Sequence, residues 1–116
     1  MNKNHEFLLG ASTAAYQVEG NNIYSDFWTL EHLPHTSFTE LSGDAVDHYN
    51  RFEEDIRMLK EAGFDICLYT GFSDGEVPLG IRKYLTYLKT GEFRLEEKTT
   101  LKPFVGSTNQ IFRRVA

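Results

Sequence analysis

The sequence has one cysteine, three prolines and one tryptophan in 116 residues. A lone Cys67 excludes an internal disulfide framework and a cysteine-rich zinc site. No apolar run approaches the ~20 residues that a membrane-spanning helix needs. Phosphate-cradling glycine loops, internal repeats and low-complexity tracts are all missing. What is present looks globular. Hydrophobic residues make up 41% and charged residues 25%, which argues against a disordered chain. Nine Phe and six Tyr raise the aromatic share to 14%, and rings bury large areas.

Charge is split along the chain. Residues 1–66 hold four Lys/Arg against twelve Asp/Glu, net −8; residues 67–116 hold eight against five, net +3. The basic residues of the second part are scattered, and Arg82-Lys83 and Arg113-Arg114 are the adjacent pairs. On sequence this is a solvated surface, and no nucleic-acid or membrane partner is expected. The opening Met1-Asn-Lys-Asn before Phe7-Leu-Leu-Gly has the outline of a leader. Glu6 cancels Lys3, and the apolar core lasts three residues, so a cytoplasmic, uncleaved chain is expected.

Phe7-Leu-Leu-Gly-Ala11 reads as a short strand buried on both faces. Small residues at Gly10, Ala11 and Ala14 would permit close backbone approach. Residues 20–43 are loop-rich. From Asp44 to Ala62 the pattern is helical, with Val46, Tyr49, Phe52, Ile56 and Leu59 on one stripe. Asp44 is placed to cap its start and Gly63 its end. Phe64–Tyr69 then reads as a second strand, giving a βα unit that feeds a parallel strand. Beyond Tyr69, Ser73-Asp-Gly-Glu is a turn. Ile81, Tyr84, Leu85 and Leu88 share a helical face stopped at Gly91, and residues 93–116 leave room for a strand or two.

Each candidate site has a plainer alternative. Glu53-Glu54-Asp55 points its three carboxylates about 100° apart on a helix, which fits a solvated face. His32 and His35 with Asp26 or Glu31 bracket a proline and lack a third ligand, so no metal is assigned. Cys67 on a strand is a small hydrophobe with no neighbouring base. Gln17 offers both donors and acceptors, suited to the adjacent hydroxyls of a sugar or to loop backbone.

Two blocks decide among these. Phe7-Leu-Leu-Gly-Ala-Ser-Thr-Ala-Ala-Tyr-Gln-Val-Glu-Gly20 closely resembles the opening signature of glycoside hydrolase family 1, the β-glucosidase family. Asp44-Ala-Val-Asp-His-Tyr-Asn-Arg-Phe-Glu-Glu-Asp-Ile-Arg-Met-Leu-Lys-Glu-Ala-Gly63 resembles its next block. The resemblance covers residues 5–66. It implies an α/β fold: a partial (β/α)8 TIM barrel, comprising the first βα unit and the start of the second strand. Phe7–Ser12 would be the first barrel strand and Asp44–Ala62 the first helix. Gln17 would be a substrate-binding residue for hydroxyls of the non-reducing sugar, at the carboxyl ends of the strands where barrel sites lie. His48 and Tyr49 would pack. The implied reaction is retaining hydrolysis of β-glycosidic bonds in carbohydrate metabolism, on β-glucosides, β-galactosides or their 6-phosphates, with no cofactor.

The match then stops. The family continues roughly x-Y-R-F-S-I-x-W, whereas this chain reads Cys67-Leu-Tyr-Thr-Gly-Phe-Ser-Asp-Gly-Glu76. The acid/base and nucleophile segments of the family are absent. Two domains are therefore expected, 1–66 as the barrel piece and 67–116 as an unrelated or frameshifted α+β tail. No catalytic residue is assigned, and an inactive chain is expected. A ~250-residue barrel does not fit in this length. The alternative is a non-catalytic sugar- or protein-binding module that reuses one βα unit.

Overall fold

The computed structural model describes Phe7 and residues 9–116. They form an α/β structure of four helices, α1 (Ala15–Val18), α2 (Asp26–Glu31), α3 (His48–Glu61) and α4 (Leu79–Arg82), and three strands, β1 (Cys67–Tyr69), β2 (Tyr87–Thr90) and β3 (Ile111–Arg114). Two compact units divide at Met1–Arg51 and Phe52–Ala116. No helix among the described residues is long and apolar enough to cross a membrane.

In the first unit, the strand expected over Phe7–Ser12 is not formed. Phe7 and residues 9–14 carry no regular structure; Leu8 lies outside the described residues. Phe7 and Leu9 are 85% and 86% exposed. A strand is held by a neighbour's backbone, and no described segment pairs with this one. The expected tight approach at Gly10 is also absent, since nothing lies within 4 Å of its would-be Cβ. No apolar side chain of this unit is buried among the described residues; its one buried residue is Glu31.

Helix α3 starts four residues later than the sequence pattern suggests. Asp44 does not cap it. Its carboxylate accepts from Asn21 Nδ2 at 2.6 Å, and Asp47 N donates to its carbonyl at 2.8 Å. Ala45 and Asp47 take positive φ, 45° and 54°, so the chain turns sharply before entering the helix at His48. The far end follows expectation. Gly63 has φ +92°, and Phe64 N reaches back to Leu59 O at 3.1 Å. That is the left-handed glycine cap.

The second unit contains the core. Val77, Ile81, Leu85 and Leu88 are buried, and Ile56 of α3, Ile66, Leu68 and Val115 pack against them. The sheet order is β1-β2-β3, with β1 parallel to β2 and β2 antiparallel to β3. The single helix expected across Ile81–Leu88 is instead α4, a turn and β2. Ile81, Leu85 and Leu88 do converge, but from three elements. A spacing of 4 and 3 satisfies a helix, while Thr86-Tyr87 favours the extended chain. Backbone pairing resolves it, since Thr86 N and Tyr87 N both donate to Ile66 O, at 2.8 and 3.0 Å. Cys67 is on a strand as expected but is exposed, and Leu68 beside it turns inward. Burial of its sulfur still pushes the thiol pKa up, which leaves it protonated and unreactive.

Candidate functional site

The loops around α1 carry the signature residues. Tyr16 and Gln17 are consecutive on one helical turn, so they point about 100° apart. Tyr16 turns inward, and its hydroxyl donates to the Glu31 carboxylate. Gln17 is exposed, with its backbone N bonded to Ala14 O at 2.9 Å. The inward neighbour thus anchors the turn and leaves the Gln17 amide facing solvent.

Glu31 is 3% exposed and fully engaged. Besides Tyr16, it accepts from Ser42 N at 2.9 Å and Ser42 Oγ at 2.8 Å, and His32 Nδ1 lies 3.7 Å away. Burial pushes the carboxyl up. The hydrogen bonds from Tyr16 and Ser42 outweigh burial and hold it below its usual value of 4.5. The same bond raises the Tyr16 phenol. His32 stacks on Trp28 at 3.9 Å and bonds Trp28 O at 2.7 Å through Nδ1, which occupies one ring nitrogen.

The sign of the Glu31 shift gives a pH test. The unfolded carboxyl holds its proton more tightly than the folded one, so this contribution is full above the usual value and lost as pH falls through the folded value. Thermal melts from about pH 5 to about pH 3 should fall more steeply for the wild type than for Glu31→Gln. The variant should also melt lower at neutral pH. Parallel acid limbs would contradict this role for Glu31.

Beyond Gln17 lies an open cavity of about 420 Å³, lined by Glu19, Asn22, Tyr24, Tyr49 and Asn50 among others. Asn22 Nδ2 donates to Glu19 at 3.1 Å and Asn50 Nδ2 to Asp47 at 2.8 Å. Tyr49 N donates to Glu19 O at 3.3 Å, tying the start of α3 to this loop. Tyr49 was expected to pack but is 71% exposed and lines the cavity, while His48 is half-buried. Gln17 does not line this cavity. The sequence signal for the cavity was the run Glu19-Gly-Asn-Asn22, whose first two residues were read as signature and whose Gly20-Asn-Asn22 was read as loop.

The acids of the second unit suit ion pairing better than proton transfer. Asp74 is bound by Arg82 and Arg113, and these bonds hold its carboxyl below the usual range. Glu76 closes a capping box with Ser73, whose hydroxyl and backbone N–H lower it likewise. A general acid needs the opposite shift. Glu53 and Glu54 are exposed on α3, as a solvated face requires. No group of three or more His, Cys, Asp or Glu among the described residues is arranged to hold a metal ion.

Comparison with known proteins agrees with the signature. The model of glycosyl hydrolase family 1 matches residues 2–70. β-Glucosidase A of Acetivibrio thermocellus is 41% identical over 64 residues, 50% of this chain and 14% of that enzyme. A β-glucosidase of Agrobacterium sp. is 38% identical over 69 residues, covering 52% and 14%. The chain thus spans about one seventh of the length of these relatives. Among solved structures, β-glycosidase BGL167 is 44% identical, covering 67% of this chain and 20% of that one, with a TM-score of 0.49. The family match crosses more than half of the residues and breaks off where the sequence loses the second-strand motif, and over that reach the chain belongs to glycosyl hydrolase family 1.

Proposed function

We propose that residues 5–66 are the opening of a (β/α)8 barrel of the β-glucosidase type, with Gln17 as a ligand for the hydroxyls of a β-glycoside. The match of Ala15-Tyr-Gln-Val-Glu-Gly20 to the family signature carries this reading. An exposed Gln17, on a turn anchored by Tyr16 and Glu31, supports it. The lack of a buried apolar side chain among the described residues of Met1–Arg51 supports it too, because a barrel's first βα unit buries its strand only against later strands. Residues 71–116 lie beyond the family match and are a tail outside the barrel piece.

Retaining hydrolysis uses two carboxyls about 5–5.5 Å apart, one protonating the leaving oxygen and one attacking the anomeric carbon. The tail's acids lie in neither of the family's acid/base and nucleophile segments, and Asp74 and Glu76 are held ionised by their partners, so this polypeptide binds sugar without cleaving it. The purified chain is expected to release no nitrophenol from an aryl β-glucoside. Saturation-transfer NMR should detect weak contact with the glycoside, with Kd on the order of millimolar. Gln17→Ala should abolish that contact. Gln17-dependent turnover would overturn the inactivity, and undiminished contact in the variant would overturn the ligand role.

A further inference from the structure

The cavity of about 420 Å³ beyond Gln17 lies wholly within Met1–Arg51, and Gln17 takes no part in it. Its volume suits a small molecule. Two carboxylates, Glu19 and Asp47, line it together with Asn22, Asn50, Tyr24 and Tyr49. No Lys, Arg or His is among the lining residues, and Arg51, the one described Lys or Arg of this unit, lies outside them. The amides are turned toward the acids. Asn22 Nδ2 donates to Glu19 at 3.1 Å and Asn50 Nδ2 to Asp47 at 2.8 Å. A neutral amide leaves the charge of its partner in place. Each carboxylate has about four acceptor sites, of which its amide fills one, and the amide carbonyls add more. The cavity therefore offers more acceptors than donors.

The start of α3 gives an anion little to hold. Tyr49 N donates to Glu19 O at 3.3 Å, and Asn50 N and Arg51 N both donate to Asp47 O at 3.1 Å. These backbone donors are therefore spent, and the Asp47 charge offsets the positive end of the helix dipole. A metal ion is poorly served as well. No group of three or more His, Cys, Asp or Glu among the described residues is arranged to hold one, and hard cations take about six or more oxygens. Aromatic rings complete the lining. Tyr24 and Tyr49 are 93% and 71% exposed, and the face of a tyrosine ring attracts an ammonium group.

We propose that this cavity binds a small organic diamine, with one ammonium met by Glu19, the other by Asp47, and the methylene stem against Tyr24 and Tyr49. Such an ion brings N–H donors and positive charge to a cavity that presents acceptors, negative charge and rings. A neutral polyol supplies donors and leaves the charge unanswered. The proposal is independent of the sugar reading of Gln17, which does not line the cavity.

Titration of the isotope-labelled full chain with diaminobutane, followed through its amide NMR signals, tests it. Saturable shifts are expected at Glu19, Asn22, Tyr49 and Asn50, with Kd on the order of millimolar at low salt. Raising salt from roughly 20 to 200 mM should weaken binding at least about threefold. Glu19→Gln with Asp47→Asn keeps an acceptor for each amide and should weaken it at least about tenfold. Tyr24→Ala with Tyr49→Ala should weaken it about threefold, a loss that charge attraction alone would not produce. No saturable shift at about 20 mM diamine would overturn the proposal. So would equal shifts from butanediol, or tighter binding of calcium ion at the same amides. Full affinity in the carboxamide variant, with Tyr16 and Ser42 amide signals matching the wild type, would overturn it too.

Discussion

Replacing Leu88 with alanine is expected to destabilise the sheet unit by about 3 kcal/mol. Leu88 is 0% exposed and sits on β2, the strand paired on both sides. Among the described residues the buried apolar core has three other members, Val77, Ile81 and Leu85. Small domains retain roughly 5 kcal/mol of net stability, so one cavity removes most of the margin. The surrounding groups cannot easily close it. Thr86 is fixed by Ile66 O and Asp65, and Lys89 by Thr70 O. Urea unfolding should place the Leu88→Ala midpoint far below that of the wild type. Leu101→Ala, at a position 93% exposed, should move stability by less than about 0.5 kcal/mol. Equal midpoints for the two variants would show that the four-residue cluster does not hold the sheet.

The contrast between core and pattern explains what could be read from the sequence. Helix α3 was legible because 14 residues repeat one period and Gly63 punctuates its end. Its start was not, because Asp44 looks like a cap and is recruited by Asn21 instead, a pairing 23 residues apart that no local rule sees. Core membership at Ile81, Leu85 and Leu88 was legible as hydrophobicity. Their secondary structure was not, because short segments satisfy a helix and a strand alike and the decision rests with Ile66 O. The first strand failed for a related reason. Phe7-Leu-Leu-Gly carries strand propensity, and propensity without a paired backbone does not make a strand.

The candidate site divides the same way. Gln17 is proposed only through the family signature, since an amide on a loop has many uses. The buried Tyr16–Glu31–Ser42 cluster behind it was not, because its members are spread over 27 positions of loop and short helix. An aromatic cluster on the sheet was hidden for the opposite reason. Tyr69, Tyr87 and Phe112 are ordinary in sequence, and only the β1-β2-β3 register brings them together with Lys89 and Arg114.

Gly20→Ala should be the most damaging change in the first unit. A Cβ at Gly20 would lie 2.2 Å from Asp44 O and 2.8 Å from Asp44 C, both backbone atoms that no rotamer change can move. Its φ of +83° adds a left-handed cost of roughly 1–2 kcal/mol for an L-residue. The overlap adds about 1–3 kcal/mol more if the backbone shifts to relieve it. Two ties depend on that approach: Asn21 N to Gly43 O at 2.6 Å and Asn21 Nδ2 to Asp44 Oδ1 at 2.6 Å. Tyr49 N to Glu19 O, one residue before the glycine, should loosen with them. This unit has no buried apolar side chain among its described residues to resist the strain, so the loop after Gln17 opens rather than deforms. Hydrogen exchange at the Asn21 and Tyr49 amides is the direct readout, and protection at both should collapse. Gly10→Ala is the matched control, with no positive φ and nothing within 4 Å of its Cβ, and should leave exchange unchanged. If both alanine variants exchange alike, the close approach of Gly20 to Asp44 does not organise this loop, and the anchoring of Gln17 rests on Tyr16 and Glu31 alone.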